Sequence, residues 1–401
     1  MERRMLGRRA EEADHLVNYI YRNCSNGTVD VRHITRHFCG NIIRKLVFGR
    51  RHFSSSGTGN IGPGHDEEAH IDALFTALDY HSGFSVSNYF PALVINGLMN
   101  TFSRLHDPII MERMKEWRAL RKNGDERREV ADFLDVLISL DDAQGKPLLS
   151  LDEVKAETLE TIYYDKSEVV PGRMKIHHCF NLILWLQEII LNTVDNPSNA
   201  VEWALAETVN NPKVMKKAMD ELDMVVSKQR LVEESDIHNL TYLKACIREA
   251  FRIHPYHPFN PPHVAIADTT IAGFKIPKGS HIILSRIGLG RNPRAWDNPL
   301  EFRPERHLKN TSNVVLAEPK LRFISFSAGR RGCPAVSLRN FNYNDAICKA
   351  SAGFSWSLSP GANRIELQES VKSLQLSKPL HMQAKPRLLL HLYEMDIAKQ
   401  G

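Results

Sequence analysis

From about residue 8 to Pro255 the apolar residues recur at helical spacing, and beyond Pro255 that rhythm stops. This change of texture constrains the fold more than any single motif. Residues 8–50 carry few breakers, and FSSSGTGNIGPGH, Phe53–His65, is a Ser/Gly-rich loop. Residues 66–142 return to helical spacing, with DFLDVLISL, Asp132–Leu140, strongly amphipathic. DAQGKPLLS is a turn, and Ser150 with Glu153 has capping-box spacing for the next helix. Residues 187–209 predict a long helix ended by Asn210-Asn211-Pro212. Past Pro255, Val264–Leu284 holds short β-type runs with Gly at the turns, a hairpin or small sheet. A Pro-rich irregular stretch, NPRAWDNPLEFRPERHL, follows; after Cys333 come a weak helix and a last strand expected at RLLLHLY, Arg387–Tyr393. The fold class is mainly α with a small β-rich subdomain.

Lys and Arg number 52 against 47 Asp and Glu, a net charge of +5, too balanced for a dedicated nucleic-acid binder. The six cysteines are widely spaced and form no CxxC pair, so neither a disulfide framework nor a zinc site is expected, and a reducing compartment suits them. The N-terminus MERRMLGRRAEEADHL has no apolar signal region, and the most apolar run, Phe180–Leu191, is too short to span a bilayer. By sequence the chain lacks a transmembrane anchor and reads as soluble.

The stretch FSAGRRGC, Phe326–Cys333, raises the sharpest chemical question. Cys333 is either a structural thiol in a glycine turn or a thiolate presented to a metal. Arg330 and Arg331 favour the thiolate, Gly329 and Gly332 allow close approach of a flat ligand, and PAVSL after the cysteine reads as a helix entry whose dipole favours an anion. Upstream, Glu249 and Arg252 in EAFR lie at i and i+3 on one helix, by themselves an ordinary ion pair. Arg306 in FRPERH, Phe302–His307, is placed to complete a Glu249–Arg252–Arg306 cluster.

The ordered set ExxR, PERH and FxxGxRxC, here Glu249/Arg252, Pro304/Glu305/Arg306 and Phe326/Gly329/Arg331/Cys333, resembles the cytochrome P-450 superfamily of haem-thiolate monooxygenases. The resemblance implies haem b with Cys333 as the axial iron ligand, Arg331 on a haem propionate, Phe326 packed near the thiolate, and Glu249–Arg252–Arg306 as a structural cluster. The long helix reads NTVDNPSNAVEWALAE, Asn192–Glu207: Asp195 keeps the acidic residue usual in the superfamily, and Asn196 stands where threonine is usual. Pro197 then predicts a kinked but continuous helix, because the amphipathic run carries on through AVEWALAE.

DNPSNAVEWALAE is similar to the plant amino acid N-hydroxylases of this superfamily, as are VDVRHITRHFCGNIIRKLVFGRRHF, DFLDVLISLDDAQG, FRIHPYHPFNPPHVA and GLGRNPRAWDNPLEFRPERHL. These enzymes convert an L-amino acid to its aldoxime by two N-hydroxylations, then decarboxylation and dehydration. This secondary metabolism leads to cyanogenic glucosides or glucosinolates. The resemblance implies O2 as co-substrate and electrons from NADPH through NADPH–cytochrome P-450 reductase, at the cytosolic face of the endoplasmic reticulum membrane. It makes Asp195 and Asn196 the candidates for guiding protons and places His263 beside a propionate, against a plain solvent-facing histidine. Phe259, Asn260 and the turn near Ser370 are candidates for the substrate pocket. Lys320, Arg322, Arg330 and Arg339 form either a reductase-docking face or an ordinary solvated basic face.

The chain also departs from the family. It reads as a single P-450 domain over 1–401 that starts after the usual anchor, first strands and first helices. Residues 159–186 do not match and read as a non-family insertion, despite His177, His178 and Cys179. RNFNYNDAICKA, Arg339–Ala350, is more polar than a helix under haem, and Ala335 replaces a common glycine. Two readings follow: an amino acid N-monooxygenase, or a non-catalytic remnant that holds haem weakly or not at all.

Overall fold

The computed structural model describes residues 2–53, 62–82, 91–122, 130–142, 144, 146–151, 154, 194–308, 314–315, 321–327, 329, 332–333, 343–370 and 374–393. The chain divides into two compact units, one spanning Met1–Tyr19, His33–Ser198 and Met395–Gly401, the other Ile20–Arg32 and Asn199–Glu394. The stretch expected to be an insertion, the residues ahead of Val194 in the long helix, and His177, His178 and Cys179 lie outside the described residues. No helix among those described is long and apolar enough to cross a membrane.

The first unit is helical. It takes in most of α1 (Glu2–Asn23) and α2 (Val31–Phe48), then α3 (His65–Ser82), α4 (Pro91–Lys122) and α5 (Phe133–Ser139), with α3 and α5 packed on α4. DFLDVLISL behaves as its spacing predicts. The Asp132 carboxylate accepts the Asp135 N–H at 2.9 Å, an N-cap, and Leu134, Leu137 and Ile138 are buried. The Asp135 carboxylate accepts from Arg113 at 2.6 Å and from the Trp117 indole at 3.0 Å. Burial pushes the Asp135 carboxyl up, but these donors outweigh it and hold the group below its ordinary range.

Residues 194–210 form the next helix, α6, which is helical on both sides of Pro197. The Ser198 hydroxyl donates to the Asp195 carbonyl at 3.0 Å. Helix α7 (Pro212–Val225) then begins with proline in its first turn, where no N–H is missed.

The second unit carries α8 (Thr241–Ile253), buried at every residue from Tyr242 to Ile253. It ends where the His254 N–H reaches the Ala250 carbonyl at 2.7 Å and Pro255 cannot continue. The one-turn PERH segment, Pro304–His307, packs on it. The expected hairpin region holds two antiparallel pairs, β2 (His263–Val264) with β5 (His281–Ile282), and β3 (Thr269–Ile271) with β4 (Phe274–Ile276). The β3–β4 turn places Ala272 and Gly273 at φ 51° and 85°, the left-handed geometry of a tight hairpin. The short helix α9 (Arg286–Gly290) follows with Ser285 as its N-cap. Helix α10 (Tyr343–Gly353) leads into a three-stranded sheet ordered β1 (Val29–Asp30), β7 (His381–Pro386), β6 (Phe354–Leu358).

The last strand is HMQAKP, not RLLLHLY. In β7 Met382 and Ala384 are buried while His381 and Lys385 are exposed, the alternation of a sheet with one covered face. Leu389 and Leu390 are exposed and Leu390–Leu392 is a 3₁₀ turn, so an apolar run without alternation formed no strand.

Candidate functional site

Glu249 is the centre of a closed polar lock. Its carboxylate is fully buried and takes a two-pronged contact from Arg252, Nε at 2.8 Å and Nη2 at 2.7 Å. Arg306 Nε donates at 2.8 Å, the Arg303 N–H at 3.1 Å and His307 Nε2 at 2.7 Å. Burial pushes the Glu249 carboxyl up, but Arg252 and His307 outweigh it and hold the group at about 2. Arg252 spends its remaining donors on the carbonyls of Gly290, Pro299 and Glu301. It also lies over the Trp296 ring, 5.0 Å from the centroid. Helix α8 therefore fastens α9 and the Pro-rich stretch through one side chain. His307 went unnoticed in the sequence, although it closes the PERH motif. Burial lowers its basicity, so the neutral ring donates to Glu249.

The cysteine turn is built on backbone bonds. The Cys333 N–H donates to the Phe326 carbonyl at 2.8 Å, Gly332 N–H to Gly329 at 3.0 Å and Ser327 N–H to Ile324 at 2.9 Å. Gly329 and Ser327 adopt φ of 66° and 58°. A Cβ built on Gly329 meets nothing within 4 Å among the described residues. Phe326 stands edge-on to Phe251 of α8, 4.9 Å between centroids, and the Ser325 hydroxyl donates to the Phe251 carbonyl at 2.9 Å. Cys333 and Cys24 are half-buried and Cys39, Cys246 and Cys348 buried, all free thiols. No cluster of three metal-ligating side chains occurs among the described residues.

Asn260 ties this turn to the β-rich corner. It is buried, its N–H donates to the Leu284 carbonyl at 2.9 Å, and its amide donates to the Ser327 hydroxyl at 3.3 Å. Its side-chain oxygen accepts from Arg286 Nε. Of the remaining candidates, His263 lies on β2 opposite Ile282. Phe259 bridges Ser285 and is 52% exposed. The Ser370 N–H donates to the Gln375 carbonyl at 2.7 Å. Asp195, 2% exposed, and the half-buried Asn196 lie on α6 in the first unit. Arg331, Lys320, Arg330, Arg339 and Ala335 lie outside the described residues. Arg322 is described, with its guanidinium 4.3 Å over the Trp296 ring.

The sequence profile described as Cytochrome P450 matches residues 181–380. Tyrosine N-monooxygenase of Sorghum bicolor is 49% identical over 96% of this chain and 66% of its own length. Tryptophan N-monooxygenase 1 of Arabidopsis thaliana is 45% identical over 96% and 67%. Valine N-monooxygenase 2 of Manihot esculenta is likewise 45% identical over 96% and 67%. The chain belongs to the cytochrome P450 family. It spans about two thirds of the length of these relatives. The P450 cofactor is haem b, and the residues present suit it: a free thiol on a turn whose Gly329 has no described neighbour near an added Cβ, with Phe326 of the same turn held edge-on to Phe251.

Proposed function

We propose that this P450 chain is an amino acid N-monooxygenase that converts an L-amino acid to its aldoxime. The observation that carries the reading is the free Cys333 thiol on its backbone-bonded turn, set in a chain 49% identical to a tyrosine N-monooxygenase. Haem held there supplies the oxygen activation that hydroxylates the substrate nitrogen. Cys333 is the thiolate ligand, with Phe326 packed beside it and Gly329 leaving room for the ring. Arg331 and His263 hold propionates. Asp195 and Asn196 are the residues this reading gives the proton-guiding role, and the buried Asp195 suits it because few waters compete for its carboxylate.

Phe259, Asn260 and Ser370 border the substrate. The similar proteins are named for tyrosine, tryptophan, phenylalanine, valine and isoleucine, so the shared recognition elements are the α-amine and α-carboxylate. Electrons come from NADPH through cytochrome P-450 reductase, at the endoplasmic reticulum membrane. The test is aldoxime formation by the full chain with reductase, NADPH, O2 and each of those five amino acids. Aldoxime from at least one is expected. Haem-loaded protein that makes none from any of them contradicts the reading.

A further inference from the structure

One charged side chain beside the cysteine turn is only half engaged. Arg286 opens α9, and its backbone N–H donates to the Pro258 carbonyl at 2.8 Å, which anchors the residue to the segment carrying Asn260. Its Nε donates to the Asn260 side-chain oxygen. The Asn260 amide in turn donates to the Ser327 hydroxyl in the cysteine turn at 3.3 Å. The two terminal nitrogens of Arg286 make no hydrogen bond and no ion pair among the described residues. Burial lowers the basicity of this guanidinium. Arginine stays protonated all the same. These two donors are not buried without a partner, so they stand open to an anion that enters beside the turn.

The geometry of the vacant edge says which anion. With Nε occupied, the two terminal amino groups present parallel donors, the arrangement that grips both oxygens of a carboxylate. Asn260 fixes the plane of that fork, and Ser327 fixes Asn260. We infer that Arg286, oriented by Asn260, is a carboxylate anchor at the cysteine turn. Two carboxylates enter such a site under the function proposed above, on which this inference rests: a haem propionate and the α-carboxylate of the amino acid.

The experiment uses the haem-loaded full chain as wild type, Arg286→Gln and Arg286→Lys, with far-UV circular dichroism as the folding control. Haem retention is read as the rate of haem transfer to excess apomyoglobin. Ligand binding is read as the spectral dissociation constant of L-tyrosine, L-tryptophan or L-valine, whichever shifts the spectrum most, beside the amine lacking its carboxylate. If the partner is a propionate, Arg286→Gln speeds haem loss about tenfold, the size of one charge-assisted hydrogen bond, and leaves the preference for acid over amine unchanged. If the partner is the substrate, amino acid binding weakens about tenfold while amine binding and haem loss hold. Arg286→Lys keeps the charge but not the fork, so it shows a smaller change in the same readout, and it supplies the reading should Arg286→Gln fail to fold. Arg286→Gln indistinguishable from wild type in both readouts overturns the inference and leaves the proposed function standing. A wild-type chain that takes up no haem overturns both.

Discussion

Arg252 and Arg286 belong to the same compact unit, and their surroundings differ in one respect. Every donor of Arg252 is used: the Glu249 carboxylate takes two, and three backbone carbonyls take the rest. Among the described residues Arg286 has a single side-chain partner, Asn260. The same contrast separates their glycines. Gly290 is pressed against the Arg252 carbonyl, where an added Cβ would sit 2.2 Å from oxygen, whereas one on Gly329 in the cysteine turn meets nothing within 4 Å among the described residues. The lock around Glu249 is complete without a ligand, and the cysteine turn is not. Identical residue types therefore do opposite jobs, and what tells them apart is whether their hydrogen-bonding capacity is spent inside the protein.

The contrast can be broken by removing the centre of the lock. Glu249→Gln leaves Arg252 and Arg306 buried without their countercharge, and it should destabilise the chain by about 3–5 kcal/mol, measured by urea unfolding. Acid should do the same reversibly. Glu249 is held at about 2 against an ordinary 4.5, so its folded value is depressed. Its contribution, about 3 kcal/mol, is then complete above pH 4.5 and lost as pH falls from there toward 2. A stability profile flat over that window in wild type, or equally steep in Glu249→Gln, would contradict the assignment.

The glycines sharpen the comparison at smaller cost. Gly290→Ala forces backbone apart and should cost about 1–3 kcal/mol. Gly329→Ala meets no described neighbour and bears only the left-handed conformation at φ 66°, about 1 kcal/mol. Thermal unfolding of the two variants side by side should rank them in that order. The smallest effect belongs to the rim. Lys217 pairs with Glu305 of the PERH segment at 2.6 Å with both side chains well exposed, so Lys217→Ala should change stability by less than about 1 kcal/mol. A larger loss in the same unfolding assay would mean that the lock extends further out than Glu249.

The local parts of this arrangement were readable in the sequence, and the long-range ones were not. Glu249 and Arg252 share a helix turn, so their pairing follows from spacing. The hairpin at Ala272-Gly273 is likewise a local signal. His307 reaches Glu249 across 58 positions, and no periodicity encodes such a meeting. Arg286 is one of 52 Lys and Arg residues, with nothing in the sequence to single it out. Its distinction is a missing partner, which only the folded chain displays. The terminal strand was misplaced because RLLLHLY is the more apolar run, whereas pairing with β1 and β6 selected the alternating HMQAKP.

The claim that the cysteine turn is the open, ligand-binding half of this contrast is tested most directly by the carbon monoxide difference spectrum of the dithionite-reduced full chain, wild type beside Cys333→Ser. The expected result is the long-wavelength Soret band of thiolate-ligated haem in wild type and its loss in Cys333→Ser, with urea unfolding of the two apoproteins unchanged. A band that survives the substitution, or its absence from folded wild type supplied with haem, would contradict the account.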